Sequence, residues 1–273
     1  MITEPEWFSK KRFHVFAVLV FAMVVFSLYA PSLHYDYVWD DQALVVENTV
    51  IHSARNIPHL FFHTLGEYGD FKSSAYRPVQ ILSFLLDYRL FKNTSAGYHF
   101  SNILYHLCAG IAVYLMLSIT VRKKAACFLS TLLFLIHPAG VEAVSYISGR
   151  ADSLGLLWMC LSFSCYVLAS DKTRPIKLIF FSAASFFYLL GIYSKESALI
   201  LPLLIALYER LIHKKKLLDA AFLECPIVCR NAAFVRTNNS ARCSAIEKTG
   251  LPHCVGSPVA RFQLCIKRES TMK

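Results

Sequence analysis

The sequence predicts an all-α integral membrane protein: a multi-pass helical bundle of about six spans with a large first extracytoplasmic loop. Three observations carry that reading. Of 273 residues, 56% are hydrophobic and 17% charged, and the mean hydropathy is +0.45, too apolar for a water-soluble domain of this size. Several apolar runs reach bilayer-spanning length. The basic residues gather at the ends of those runs, as Lys10, Lys11 and Arg12; Arg122, Lys123 and Lys124; Lys172, Arg174 and Lys177; and Arg210, Lys214, Lys215 and Lys216. Such groups mark cytoplasmic flanks. The net charge of +10 therefore serves topology, and no nucleic-acid partner is expected. Soluble enzyme, collagen-like, disordered and disulfide-scaffold classes drop out.

Residues 13–30 (FHVFAVLVFAMVVFSLYA) follow a basic start without an A-x-A-like cleavage site, so they read as a retained first helix. Residues 31–97 hold Asp36, Asp40, Asp41, Glu47, Glu67, Asp70 and Asp87 against few bases, which marks a non-cytoplasmic loop. Within it, residues 78–91 have the apolar spacing of an interfacial amphipathic helix. Residues 98–121 return the chain to the cytoplasm. Residues 125–136 lead out again to His137 and Pro138; this segment is short, and its continuation through Val144 and Ile147 stays open. Residues 154–169 return, 178–193 go out and 198–211 return. Over residues 1–218 the cytoplasmic side then holds 13 Lys/Arg with 4 Asp/Glu, and the opposite side 7 with 10, which sets the orientation.

After residue 218 there is neither a sustained period nor a membrane-length run. Five of the nine cysteines lie here. Cys225, Cys229, Cys243, His253 and Cys254 match no usual zinc spacing. A reading-frame change or alternative end of a longer membrane protein is the more economical account, with an unstructured tail. Cys108, Cys127, Cys160 and Cys165 fall within helices as small packing residues.

Ionisable residues collect at the non-cytoplasmic helix ends: Asp40 and Asp41, Arg77 after Tyr76, His137 and Glu142, Arg150 and Asp152, Lys195 and Glu196. Charges near membrane depth are costly, so they tend to be paired or functional. This set can supply a carboxylate as general base toward an acceptor hydroxyl, while cations neutralise a phosphate leaving group. Loops joined by ordinary salt bridges would gather the same residues. Asp40–Asp41 reads equally as a base with a supporting acid or as a helix N-cap ahead of QALVVEN. Arg77 and Arg150 suit bidentate phosphate contact or headgroup anchoring. His137 reads as a ligand or a hydrogen-bonded helix end, and Lys195–Glu196 as a local ion pair or a phosphate site. Spans nearly free of charge disfavour a transporter with a midplane polar site. A non-catalytic anchor or binding subunit is the structural alternative.

At the same residues the sequence resembles a known family. DDQALVVEN (40–48), YRPVQILSFLLDYRLF (76–91), GYHFSNILYH (97–106), HPAGVEAVSYISGRADSL (137–154) and SKESALILPLL (194–204) are similar to the membrane core of the TMTC-type protein O-mannosyltransferases and their bacterial relatives. The likeness runs in order over roughly residues 10–216. It implies a GT-C glycosyltransferase core over 1–216, followed by a divergent tail over 217–273. It further implies transfer of a sugar, typically mannose, from a polyprenyl or dolichyl phosphate to a protein hydroxyl on the non-cytoplasmic face. The first-loop acid falls on Asp40 or Asp41 and the phosphate-facing base on Arg77, Arg150 or Lys195, with His137, Glu142, Asp152 and Glu196 around them. No cofactor is certain, and a divalent metal stays open. One departure is Gly140, where many relatives carry a second histidine. Another is that the further spans and tetratricopeptide repeats of the family do not follow Lys216, so a truncated core is expected, with its transfer activity left open. SGRAD and SKES favour a bacterial inner membrane, with the endoplasmic reticulum as the alternative. Asn93-Thr94-Ser95 is a glycan acceptor in the latter setting alone.

Overall fold

The structure, a computed structural model, describes residues 11–65, 75–121, 123–170 and 172–212. The expected tail with its cysteines, and the loop acids Glu67 and Asp70, lie outside the described residues. Among the described residues every regular element is helical, and four helices are long and apolar enough to cross a membrane: Arg12–His34, Ser95–Thr120, Ile147–Ser170 and Arg174–Ser194. The chain is a multi-pass, all-α membrane bundle.

Helix α1 (Lys11–Tyr29) buries Phe13, Ala17, Phe21, Val25 and Tyr29, and exposes Val15, Phe16, Leu19, Met23 and Leu28. Burial at every fourth residue makes one packed stripe, and the apolar face left outward is the face that lipid solvates. Phe21 stacks on Phe128 at 5.4 Å and meets Tyr114 edge-on at 5.5 Å. The stripe thereby seats α1 against α4 (Ser95–Thr120) and α5 (Lys124–Ile136).

The acidic first loop is folded. Its start is a single wide turn, Gln42–Val46, closed by the Glu47 N–H donating to the Gln42 carbonyl at 2.8 Å. Short 3-10 turns and α2 (Ile57–Leu60) follow. Leu44, Val45, Ile51 and Leu60 close a core with Ile81, Phe84, Tyr98 and Ile147. Helix α3 (Pro78–Phe91) has the expected limits. It is not the two-faced interfacial helix expected, however: Gln80, Ser83 and Asp87 are buried along with Val79, Ile81, Phe84 and Leu85, while Leu86 and Leu90 are exposed. The polar stripe turns inward because its partners lie there: Ser101 on α4, and Ser148 and Arg150 at the start of the third membrane-length helix.

Helix α5 ends at Ile136, and His137–Pro138 interrupts the chain before α6 (Gly140–Ser145). The third apolar segment therefore does not run on through Val144 and Ile147. A 3-10 turn, Ile147–Gly149, leads into α7 (Arg150–Ser170). Helix α7 packs along α4 and α8 (Arg174–Ser194), and α9 (Leu201–Ile212) follows a 3-10 turn at Glu196–Ile200. With 13 and 12 residues, α5 and α9 rise only about 20 Å each, short of the ~30 Å hydrocarbon core. The expected sixfold crossing thus resolves into four full-length helices and two shorter apolar ones. Cys127 and Cys160 are buried packing residues, whereas Cys108 is exposed.

Candidate functional site at one end of the bundle

Alternating helix directions bring the first loop, the α5–α7 connection and the α8–α9 turn to the same end. The opposite end holds the basic connections; there the His14 ring faces the Tyr114 hydroxyl at 2.9 Å, and the Tyr166 hydroxyl donates to Glu209 of α9 at 3.1 Å.

The two neighbouring first-loop acids have different surroundings. Asp41 is wholly buried. One carboxylate oxygen accepts from the Ser148 backbone N–H at 2.9 Å and from the Ser148 hydroxyl at 2.6 Å; the other accepts from the Val38 N–H at 3.2 Å. Burial raises the Asp41 pKa, and these hydrogen bonds, with Arg150 behind them, oppose the rise. Asp40 is partly exposed, and the pKa of the Tyr146 phenol rises through burial and then through the nearby charges of Asp40 and Asp41. Burial likewise lifts the phenol of Tyr37 to about 12, with Asp41 adding to the rise. The N-cap alternative for the acids is not realised for Asp41, which makes no side-chain cap bond to the wide turn.

The loop that meets these acids is held from behind. The Asn102 amide on α4 donates to the carbonyls of Val144, Tyr146 and Ile147 at 3.1, 2.9 and 3.3 Å. The Gln80 amide donates to the Ser148 carbonyl at 2.8 Å. Gly149 is required at this turn, since a Cβ there would stand 2.4 Å from the Glu142 carbonyl oxygen.

Arg150 is fully buried. Its guanidinium donates to Asp87 at 2.5 Å, to Ser83 at 3.3 Å and to the Tyr98 and Ile147 carbonyls at 3.0 and 3.3 Å. The Phe84 ring lies 4.5 Å from its central carbon. Asp87 also accepts from the Ser101 hydroxyl at 2.7 Å. A guanidinium with its donors occupied and its face covered is an interior brace, out of reach of a lipid phosphate.

The other cations are more open. Arg77 makes a two-pronged contact with Glu196, at 2.8 Å for its closest bond, and the two side chains are 24% and 47% exposed. Lys195 pairs with Asp152 at 27% and 50% exposure. The structure thus joins Arg77, Glu196, Lys195 and Asp152 into a rim of two ion pairs. His137 is exposed, and its Nδ1 accepts from the Ala139 N–H at 3.2 Å, the hydrogen-bonded helix-end arrangement. Glu142 is exposed on α6. At Gly140 a Cβ would approach the Tyr29 hydroxyl at 3.1 Å and the His106 ring at 3.3 Å. His106 itself meets Tyr29 edge-on at 5.5 Å and faces the Leu135 carbonyl.

Sequence reasoning missed Asn102, Ser148, Tyr146 and Gln80, and placed Asp87 only among the loop acids. The available signal was the i, i+3, i+7 run Gln80, Ser83 and Asp87 within an otherwise apolar helix. Among the described residues no group of three or more His, Cys, Asp or Glu side chains is placed to hold a metal.

Comparison with known proteins finds similarity to the TMTC protein O-mannosyl-transferases. The chain is 25% identical over 230 residues to human protein O-mannosyl-transferase TMTC3, covering 82% of this chain and 24% of that protein. It is 33% identical over 154 residues to Tmtc1 of Drosophila melanogaster, covering 54% and 16%. It is 31% identical over 176 residues to mouse TMTC4, covering 58% and 24%. The chain thus spans about a quarter or less of the length of these curated relatives. No family model and no solved structure matches.

Proposed function

Starting from that likeness, we propose that the bundle is the membrane core of a glycosyltransferase that moves mannose from a polyprenyl or dolichyl phosphate to a protein Ser or Thr hydroxyl on the non-cytoplasmic face. The observation that carries the reading is the division of labour between the two adjacent acids. Asp41 is spent on holding Ser148, so Asp40 is the carboxylate left facing outward. Asp40 takes the proton of the acceptor hydroxyl as its oxygen attacks the anomeric carbon, and the bond from that carbon to the phosphate oxygen breaks. The departing phosphate gathers negative charge, which Arg77 and Lys195 meet from the rim, exchanging Glu196 and Asp152 for phosphate oxygens. Arg150 has no part in this contact. Asp41 and Ser148 act as positioning residues. No step needs a metal; a divalent ion would enter as an addition near Asp40. The acceptor protein and the lipid-linked sugar are the partners this reading requires.

Membranes carrying the chain should release labelled mannose from polyprenyl-phosphate mannose, and Asp40→Asn should lower release at least about a hundredfold, the scale of one general base, with insertion unchanged. Full activity in Asp40→Asn would overturn the assignment. Animal relatives support an endoplasmic reticulum setting over a bacterial inner membrane, and both keep the same orientation.

A further inference from the structure

Trp39 stands immediately before Asp40 and is 84% exposed. Among the described residues no other large apolar side chain is so open. Its backbone has φ of 48°, in the left-handed region that a bulky residue rarely occupies and glycine occupies freely. The indole meets the Tyr146 ring edge-on, with centroids 6.0 Å apart and planes at 73°. The charge of Asp40 reaches the Tyr146 phenol and raises its pKa. A large aromatic face is therefore held in the open, at a backbone cost, next to the outward carboxylate. Strained conformations persist where the surroundings over-determine them, and they collect at ligand-binding positions.

We propose that Trp39, backed by Tyr146, is the platform on which the sugar ring of the lipid-linked donor rests. A pyranose has one face of C–H bonds, which carry partial positive charge and suit the electron-rich face of an indole. The ring hydroxyls on its edge would lie toward Asp40 and the Tyr146 phenol. The chemistry selects a hexose with an axial-poor C–H face, and the platform fixes how far the anomeric carbon lies from Asp40. This proposal rests on the transferase reading above. It makes Trp39 a specificity-determining residue whose geometry is set by Tyr146.

The test follows Trp39 in the full chain in lipid nanodiscs, with 5-fluorotryptophan incorporated and its signal assigned through Trp39→Phe. Polyprenyl-phosphate mannose should shift the Trp39 signal, while the same lipid phosphate without sugar should not. In release assays Trp39→Ala should raise the donor KM about tenfold, the loss of one stacked aromatic face, with kcat changed less than threefold and Trp39→Tyr restoring most of the affinity. Trp39→Gly should weaken donor binding as much as alanine does and yet raise the unfolding temperature, because glycine relieves the backbone; a purely structural tryptophan would not behave so. An equal shift with sugar-free lipid or bare vesicles would make Trp39 a membrane-interface anchor and overturn the platform. An unchanged donor KM in Trp39→Ala, with Asp40→Asn inactive, would overturn the platform and leave the transferase reading standing. A sugar-dependent shift in a chain that releases no mannose would do the reverse.

Discussion

Asp41 and Ser148 lie 107 residues apart and form the tightest polar contact between the first loop and the turn before α7. Because burial raises the Asp41 pKa, the folded chain holds that proton to higher pH than the unfolded chain does. Stability therefore falls as pH rises from the ordinary carboxylate value of 3.8 through the raised folded value, where the folded state has the greater proton count. Ser148→Ala removes a hydrogen bond that favours the ionised form. The expected outcome is a loss of about 1 kcal/mol together with an extension of the falling limb to higher pH, read as unfolding temperature against pH in detergent. Asp41→Asn should flatten the same limb. A slope identical in all three proteins would show that Asp41 does not titrate in that window.

Helix α3 shows how an element can match its expected limits and still present another face. Its inward stripe ends in Asp87, which neutralises Arg150 inside the bundle at 2.5 Å. Removing one member of such a pair leaves the other buried and unpaired, so Asp87→Ala should cost about 3–5 kcal/mol. The Arg77–Glu196 pair is partly exposed, and Arg77→Gln should cost no more than about 1 kcal/mol while weakening donor phosphate binding. Thermal unfolding of the two variants side by side checks the contrast; equal losses would mean that Arg77 is as much a brace as Arg150. Residues 78–91 were readable as a helix because the apolar spacing is local. The direction of the polar stripe was not readable, since its partners Ser148 and Arg150 come from a turn more than sixty residues away.

At the scale of the molecule, four long helices and their lipid-facing side chains follow from composition. The proposed orientation rests on the basic connections, which the bundle gathers at the end away from Asp40. Asn93 sits exposed between α3 and α4, at the same end as the candidate site. Expression in a eukaryotic secretory membrane should attach a glycan at Asn93, seen as a mobility shift removed by endoglycosidase and absent in Asn93→Gln. An unglycosylated Asn93 combined with modification of an acceptor site engineered between α7 and α8 would reverse the proposed orientation.

The sequence alone determined that the chain is an all-helical membrane protein, where its apolar helices run and at which ends its charges collect. Those properties depend on runs of neighbouring residues and on the cost of placing charge or bare backbone in lipid. Tertiary structure decided which of two adjacent aspartates is buried, and that Arg150 is an interior brace while Arg77 and Lys195 remain on the rim. It also decided that an asparagine on α4 shapes the loop facing Asp40. The contacts concerned join residues 42 to 119 positions apart, and a carboxylate's or guanidinium's surroundings are set by the partners that folding brings to it rather than by its neighbours in the chain.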